Sequence, residues 1–121
     1  MGDRVEGDTP IYPGQEFVSA SGEYQLIFQE DSNLVLYKRN DDGSEAIWAS
    51  NTYSDEGSTN HSVLVQLDGN FVLYNADGQA LWASGSNYDA VKPYILVQDD
   101  GNVCLYDEEV EGCHWSTGTS Q

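Results

Sequence analysis

Val65 to Ser84 reads VQLDGNFVLYNADGQALWAS, and the same layout recurs on either side of it, in Phe28 to Ser50 (FQEDSNLVLYKRNDDGSEAIWAS) and in Val97 to Thr117 (VQDDGNVCLYDEEVEGCHWST). Each copy runs through an acidic turn, a strand, a second turn and a strand that carries a tryptophan. The leading glutamines, Gln29, Gln66 and Gln98, lie 37 and 32 residues apart, a period that marks a repeat architecture. Within a copy the central strand alternates: Leu34 and Leu36 fall on one face and Asn33, Val35 and Tyr37 on the other. In the second copy Phe71 and Leu73 oppose Asn70, Val72 and Tyr74. The apolar face predicts a core, and the polar face is free for another purpose.

Working outward, 121 residues is the length of one domain, so the three repeats are expected to share one core within a single unit spanning 1–121. No long stretch places apolar residues at helical spacing, while Tyr, Val and Gly are frequent and Pro is scarce, which predicts an all-β chain. Asp31-Ser32-Asn33, Asp68-Gly69-Asn70 and Asp100-Gly101-Asn102 suit turns, because these residue types tolerate the unusual dihedrals. Trp48, Trp82 and Trp115 occur once per repeat among small residues, which predicts a shared central cluster about a threefold pseudo-axis.

The net charge of -17 leaves Arg4, Lys38, Arg39 and Lys92 as the only basic side chains. Without a basic patch to neutralise phosphates, nucleic acid and anionic membranes are poor candidate partners, and neither nucleic-acid binding nor membrane insertion is expected. No apolar run approaches the roughly 20 residues of a membrane span, and Met1 to Glu6 lacks the apolar segment of a secretory leader. The chain therefore reads as soluble. Removal of a leader from an exported, extracellular protein and synthesis without one both remain open.

Cys104 and Cys113 flank a turn-like acidic segment, and a hairpin-closing disulfide and two free thiols both stay open. Strict alternation puts Cys113 with Trp115 and Cys104 on the polar face, so direct pairing requires a bulge. Two thiols and His114 fall short of a four-ligand zinc set, since His61 is distant in sequence, and no metal site is expected.

The polar faces carry the chemistry. Alternate residues give Gln29, Asp31, Asn33, Val35 and Tyr37 in the first copy, and Gln66, Asp68, Asn70, Val72 and Tyr74 in the second. Amides, a carboxylate and a phenol both donate and accept hydrogen bonds, with valine as a small apolar patch between them. That combination suits a sugar, whose hydroxyls need both kinds of partner and whose C–H face needs an apolar contact. Turn formation alone explains Asp, Gly and Asn but not the outer Gln and Tyr. The third copy keeps Gln98, Asp100, Asn102 and Tyr106 and puts Cys104 at the valine position, where a free thiol would serve as a small apolar contact and a disulfide to Cys113 would deform or block the pocket.

With these three Gln-x-Asp-x-Asn-x-Val-x-Tyr signatures, the chain resembles the bulb-type (monocot) mannose-binding lectins from about Ile11 to Thr119. Tyr12 to Phe17 is similar to the family's opening strand, and Trp-Ala-Ser and Trp-Ser-Thr-Gly are similar to its repeat endings. The resemblance implies a β-prism II of three four-stranded antiparallel sheets, with one metal-independent, cofactor-free pocket per sheet for mannose or mannose-containing glycans. It further implies that Asp31/Asn33 and Asp68/Asn70 hold the axial 2-hydroxyl. Gln29 and Gln66 would reach the 3-hydroxyl and Tyr37 and Tyr74 the 4-hydroxyl, with Val35 and Val72 against the C3–C4 face. Related lectins form dimers by exchanging a C-terminal strand, so a homodimer through His114 to Gln121 is one assembly the resemblance allows. The Asn51 to Ser62 and Ser84 to Pro93 connections are expected to run beside the pockets.

Three competing readings are weaker. A prism that has lost sugar binding and serves as an interaction module is opposed by two intact signatures. A glycoside hydrolase needs paired carboxylates, and each repeat supplies one recurring acid at its pocket, so no enzyme is expected. A β-trefoil also has three repeats, but its Gln-x-Trp ending is absent.

Overall fold

The computed structural model describes residues 2–121; Met1, the first residue of the segment read for a leader, lies outside them. The described residues form strands and turns with no helix. The strands are β1 (Arg4–Glu6), β2 (Glu16–Val18), β3 (Tyr24–Phe28), β4 (Leu34–Asn40), β5 (Gly43–Ala49), β6 (Ser62–Val65), β7 (Phe71–Tyr74), β8 (Ala80–Ala83), β9 (Pro93–Val97), β10 (Val103–Asp107) and β11 (Trp115–Ser116). They make three antiparallel sheets, ordered β2-β3-β4-β5, β6-β7-β8 and β1-β9-β10-β11. Each repeat supplies two antiparallel strands, β4-β5, β7-β8 and β10-β11, and the strand just before it, β3, β6 or β9, pairs with the first of the two.

The expected three four-stranded sheets are corrected to two of four strands and one of three. The stretch from Arg4 to Val18 runs along the edges of all three sheets. It adds β1 to β9 and β2 to β3, but meets β6 only through an isolated bridge between Ile11 and Val63. Asp8 N donates to Val65 O at 2.8 Å, and Ile11 and Val63 exchange backbone bonds of 2.7 and 2.9 Å. A full fourth strand fails there for two local reasons. Asp8 sits at φ 63°, outside the extended region, and Pro10 has no N–H to give the ladder.

The inward faces fuse into one core. Leu26, Phe28, Leu34 and Leu36 of the first repeat meet Val63, Val65, Phe71 and Leu73 of the second and Ile95, Val97, Val103 and Leu105 of the third, all but completely buried. Full burial of a side chain such as Leu36 contributes about 1.5–3 kcal/mol. The three tryptophans cap this core as predicted: Trp48, Trp82 and Trp115 pack edge to face, with ring centroids 5.5 to 5.8 Å apart.

A one-residue bulge in the tryptophan strand lets one hairpin serve both faces. Leu36 pairs with Trp48 on the core side, but Tyr37 pairs with Ala46, so Ile47 is the extra residue; Leu73, Trp82, Tyr74, Ala80 and Leu81 repeat the pattern. The C-terminal segment is folded against its own chain. β11 pairs with β10, and Gln121 N donates to Asp100 O at 2.6 Å.

Candidate functional site

The turn before each central strand sets the geometry. Gly69 and Gly101 hold left-handed φ values of 88° and 90°, and a Cβ on Gly69 would stand 2.2 Å from the Tyr88 ring. The first repeat uses Ser32 in the same conformation, at φ 77°. Ser32 is fully buried, and its hydroxyl bonds His61 Nδ1 at 2.9 Å, an interaction that offsets the strain. In each turn the aspartate Oδ1 accepts the backbone N–H of the asparagine two residues on, at 2.9 Å for Asp31 and 3.0 Å for Asp68 and Asp100.

All fourteen predicted site residues fall into three clusters on the outer faces of the three sheets. In the first, Gln29, Asp31, Asn33 and Tyr37 are half-buried around a buried Val35. The Gln29 amide is set by its neighbours: its oxygen accepts the Tyr37 hydroxyl at 2.5 Å, and its nitrogen donates to the two Asp31 oxygens at 3.1 and 3.2 Å. In the second cluster Gln66 relates in the same way to Tyr74 and to Asp68, beside a buried Val72. The result in each is a continuous Tyr–Gln–Asp chain on a preformed polar surface.

The asparagines are held by residues that the strand pattern did not single out. Asn33 Oδ1 accepts the Ser50 hydroxyl and Thr52 N at 3.3 and 3.2 Å, and Asn70 Oδ1 accepts the Ser84 hydroxyl and Gly85 N at 3.1 and 2.9 Å. Asn102 Oδ1 accepts the Thr117 hydroxyl and the N–H groups of Gly118 and Thr119. Behind each lies a second hydroxyl, Thr52, Ser86 or Thr119, which donates to the backbone carbonyl of the turn. The signal was in the sequence, since Ser-x-Thr, Ser-x-Ser and Thr-x-Thr follow the three tryptophans. With its oxygen consumed, each asparagine presents its Nδ2 amide as a donor beside a carboxylate that accepts.

The third cluster differs through Cys104. Asn102 Nδ2 donates to Cys104 Sγ at 3.3 Å, and the thiol donates to Gln98 Oε1 at 3.4 Å, while the Gln98 nitrogen is turned to Tyr106. The asparagine amide, free in the other two clusters, is thus engaged with sulfur, and the glutamine nitrogen, turned to Asp there, faces Tyr106 here. Burial pushes the Cys104 thiol up to about 12, so it stays protonated, and burial together with Cys104 raises Tyr106. Cys104 and Cys113 are both free thiols, the former buried and the latter exposed. The disulfide, left open by the sequence, is not formed in this structure. Among the described residues no three His, Cys, Asp or Glu side chains are grouped to hold a metal.

Both long connections meet the clusters, as expected. Ser54 N donates to Asp31 O at 2.7 Å, Tyr88 N donates to Asp68 O at 3.0 Å, and Asn87 Nδ2 reaches Asp68 Oδ2 at 3.2 Å. Tyr88 then crosses to the third repeat. It stacks on His114 with centroids 3.9 Å apart, and its hydroxyl donates to Asp107 Oδ2 at 2.8 Å. Burial would raise Asp107, but bonds from the Val91, Glu109 and Lys92 N–H groups and from Tyr88 hold its carboxyl well below the usual range.

No family model matches the chain. It is 35% identical over 99 residues to the B-type lectin plumieribetin of Scorpaena plumieri, an alignment covering 81% of this chain and 80% of that one. A mannose-specific lectin of Aloe arborescens is also 35% identical, over 83% of this chain and 84% of its own. Among solved structures, a monomeric monocot mannose-binding lectin from Gastrodia elata superposes with a TM-score of 0.85 at 34% identity, over 99% of this chain and 100% of that one. Three sheets around a tryptophan core, each with one polar row facing outward, define a β-prism II lectin, a binding protein and not an enzyme. The chain belongs to the bulb-type mannose-binding lectin family.

Proposed function

We propose that this lectin binds mannose and mannose-containing glycans, without a metal, through the Gln29/Asp31/Asn33/Val35/Tyr37 and Gln66/Asp68/Asn70/Val72/Tyr74 pockets. The Gln98/Asp100/Asn102/Tyr106 pocket contributes less. The observation that carries this reading is the saturated asparagine oxygen, which leaves an amide donor fixed beside a carboxylate acceptor in the first two repeats. A donor and an acceptor side by side suit one hydroxyl that must both accept and donate, here the axial 2-hydroxyl that separates mannose from glucose. Gln and Tyr would meet the 3- and 4-hydroxyls, and Val35 or Val72 the C3–C4 face. An equatorial 2-hydroxyl, as in glucose, is misplaced for both groups and leaves them desolvated and unpaired at about 1–3 kcal/mol, enough for tenfold selectivity or more.

One shallow pocket binds weakly, so useful affinity comes from several pockets engaging a branched or clustered glycan together. The test is a glycan array probed with the pure protein, with mannose, glucose and a chelator as competitors. The expected result is binding to mannose-rich glycans that mannose blocks and that neither glucose nor chelator blocks. Absence of binding to any glycan would favour a prism that serves only as an interaction module.

A further inference from the structure

The two joints between successive repeats are built from equivalent parts but finished differently. Between the second and third repeats, the Tyr88 ring covers His114, the residue before Trp115, and its hydroxyl is anchored on Asp107, the residue that follows Tyr106. Between the first and second repeats the matching parts are Leu81, which precedes Trp82 as His114 precedes Trp115, and Asn75, which follows Tyr74. The position that matches Tyr88 is Ser54, whose N–H bonds Asp31 O as that of Tyr88 bonds Asp68 O, and its short side chain does not reach across this joint; nor does the preceding Tyr53 close it. Tyr53 is 63% exposed, and its hydroxyl is turned aside to Asp55 at 2.6 Å. An open cleft of about 440 Å³ results, lined by Asn51, Tyr53, Glu56, His61, Asn75 and Leu81.

Shape and chemistry narrow the occupant. The plugged joint takes a flat ring with one apolar face and a polar edge, and the open joint offers Leu81 and Tyr53 as apolar surface with polar groups around them. Among the described residues, the Asn51 amide and the Glu56 carboxylate form no side-chain hydrogen bond and are available to a ligand, whereas the Asn75 amide is taken up by its own hairpin turn. The volume lies in the ordinary range for ligand sites, roughly 300–1,000 Å³. The cleft also abuts the first pocket: Thr52 N bonds Asn33 Oδ1, and Ser54 N bonds Asp31 O, so its wall and the pocket share one loop.

We propose that the cleft between Tyr53 and Leu81 is a second saccharide subsite, which seats the sugar residue linked to the mannose held by the Gln29 to Tyr37 pocket. This rests on the mannose reading of that pocket and extends it to an oligosaccharide spanning two repeats. The second joint lacks the subsite because Tyr88 occupies the equivalent space.

The test is an NMR titration of the whole chain with methyl α-D-mannoside and, separately, with α-linked mannobiose and mannotriose, following the Leu81 methyl and Tyr53 ring signals. All three sugars should shift the Asn33 side-chain amide, and only the oligosaccharides should shift Leu81 and Tyr53. Tyr53→Ala and Leu81→Gln, both at exposed positions, should weaken mannotriose about fivefold at the first pocket and leave methyl α-D-mannoside unchanged. Leu81 and Tyr53 unmoved at mannotriose saturation, with Asn33 shifted, would overturn the subsite alone. An Asn33 amide that no sugar moves would overturn the pocket reading and the subsite with it.

Discussion

Cys104 Sγ donates to Gln98 Oε1 at 3.4 Å, a bond that valine cannot make at the equivalent positions beside Gln29 and Gln66. It turns the third glutamine away from the orientation held in the other two repeats and draws in the Asn102 amide as well. Cys104→Val should therefore release both amides and raise the number of mannoside sites seen by NMR or calorimetry toward three. Wild-type protein should show two clearly stronger ones.

The same thiol gives a chemical prediction. Cys104 is buried and protonated through the neutral range, whereas Cys113 is exposed. Iodoacetamide at pH 8 should add one label per native chain, at Cys113, and a second only after denaturation, as read by intact mass and peptide mapping.

The Ser84 hydroxyl accepts Phe71 N at 2.9 Å and donates to Asn70 Oδ1. Ser84→Ala leaves a backbone N–H and an amide oxygen short of a partner, at a cost of about 1–3 kcal/mol. The variant should melt at a lower temperature and lose mannoside affinity in the second pocket. Ser86→Ala, one step further from the asparagine, should lower stability with a smaller effect on affinity.

Asp107 couples folding to pH. Its carboxyl is held below the usual range in the folded chain, so its stabilisation is fully present above the unfolded value near 3.9 and is lost as pH falls through the lower folded value. Thermal stability should decline below about pH 4, and Asp107→Asn should flatten that decline while lowering the melting temperature at pH 7. The Tyr88 stack on His114 should loosen in the variant, visible as a change in the Tyr88 ring signals.

Most of the fold was legible because its signals are local. Period-two alternation in Leu34 to Tyr37 and Phe71 to Tyr74, turn residues at fixed offsets and one tryptophan per repeat each mark the same unit three times. The missing fourth strand of the second sheet was not legible, since it depends on how Asp8 and Pro10 meet β6 across more than fifty residues of sequence. The bulge at Ile47 and Leu81 was equally hidden. It breaks strict alternation, and in its light the face assigned to Cys113 from simple counting does not hold, because Ala46 and Ala80, the residues two before each tryptophan, pair with Tyr37 and Tyr74. The site's first layer could be read from its spacing. The Ser and Thr hydroxyls behind the asparagines could be seen as a repeat ending, but their role emerged only when the turn and the loop met in space.

Recognition of the axial 2-hydroxyl by paired Asp and Asn side chains in the first two repeats can be measured by calorimetric titration of methyl α-D-mannoside into the wild-type chain and the Asp31→Ala/Asp68→Ala double variant, with methyl α-D-glucoside as control. The expected result is mannoside binding to the wild type, glucoside binding at least about tenfold weaker, and loss of most mannoside binding in a double variant that keeps its β-sheet circular dichroism. A folded double variant that binds mannoside as the wild type does would contradict it.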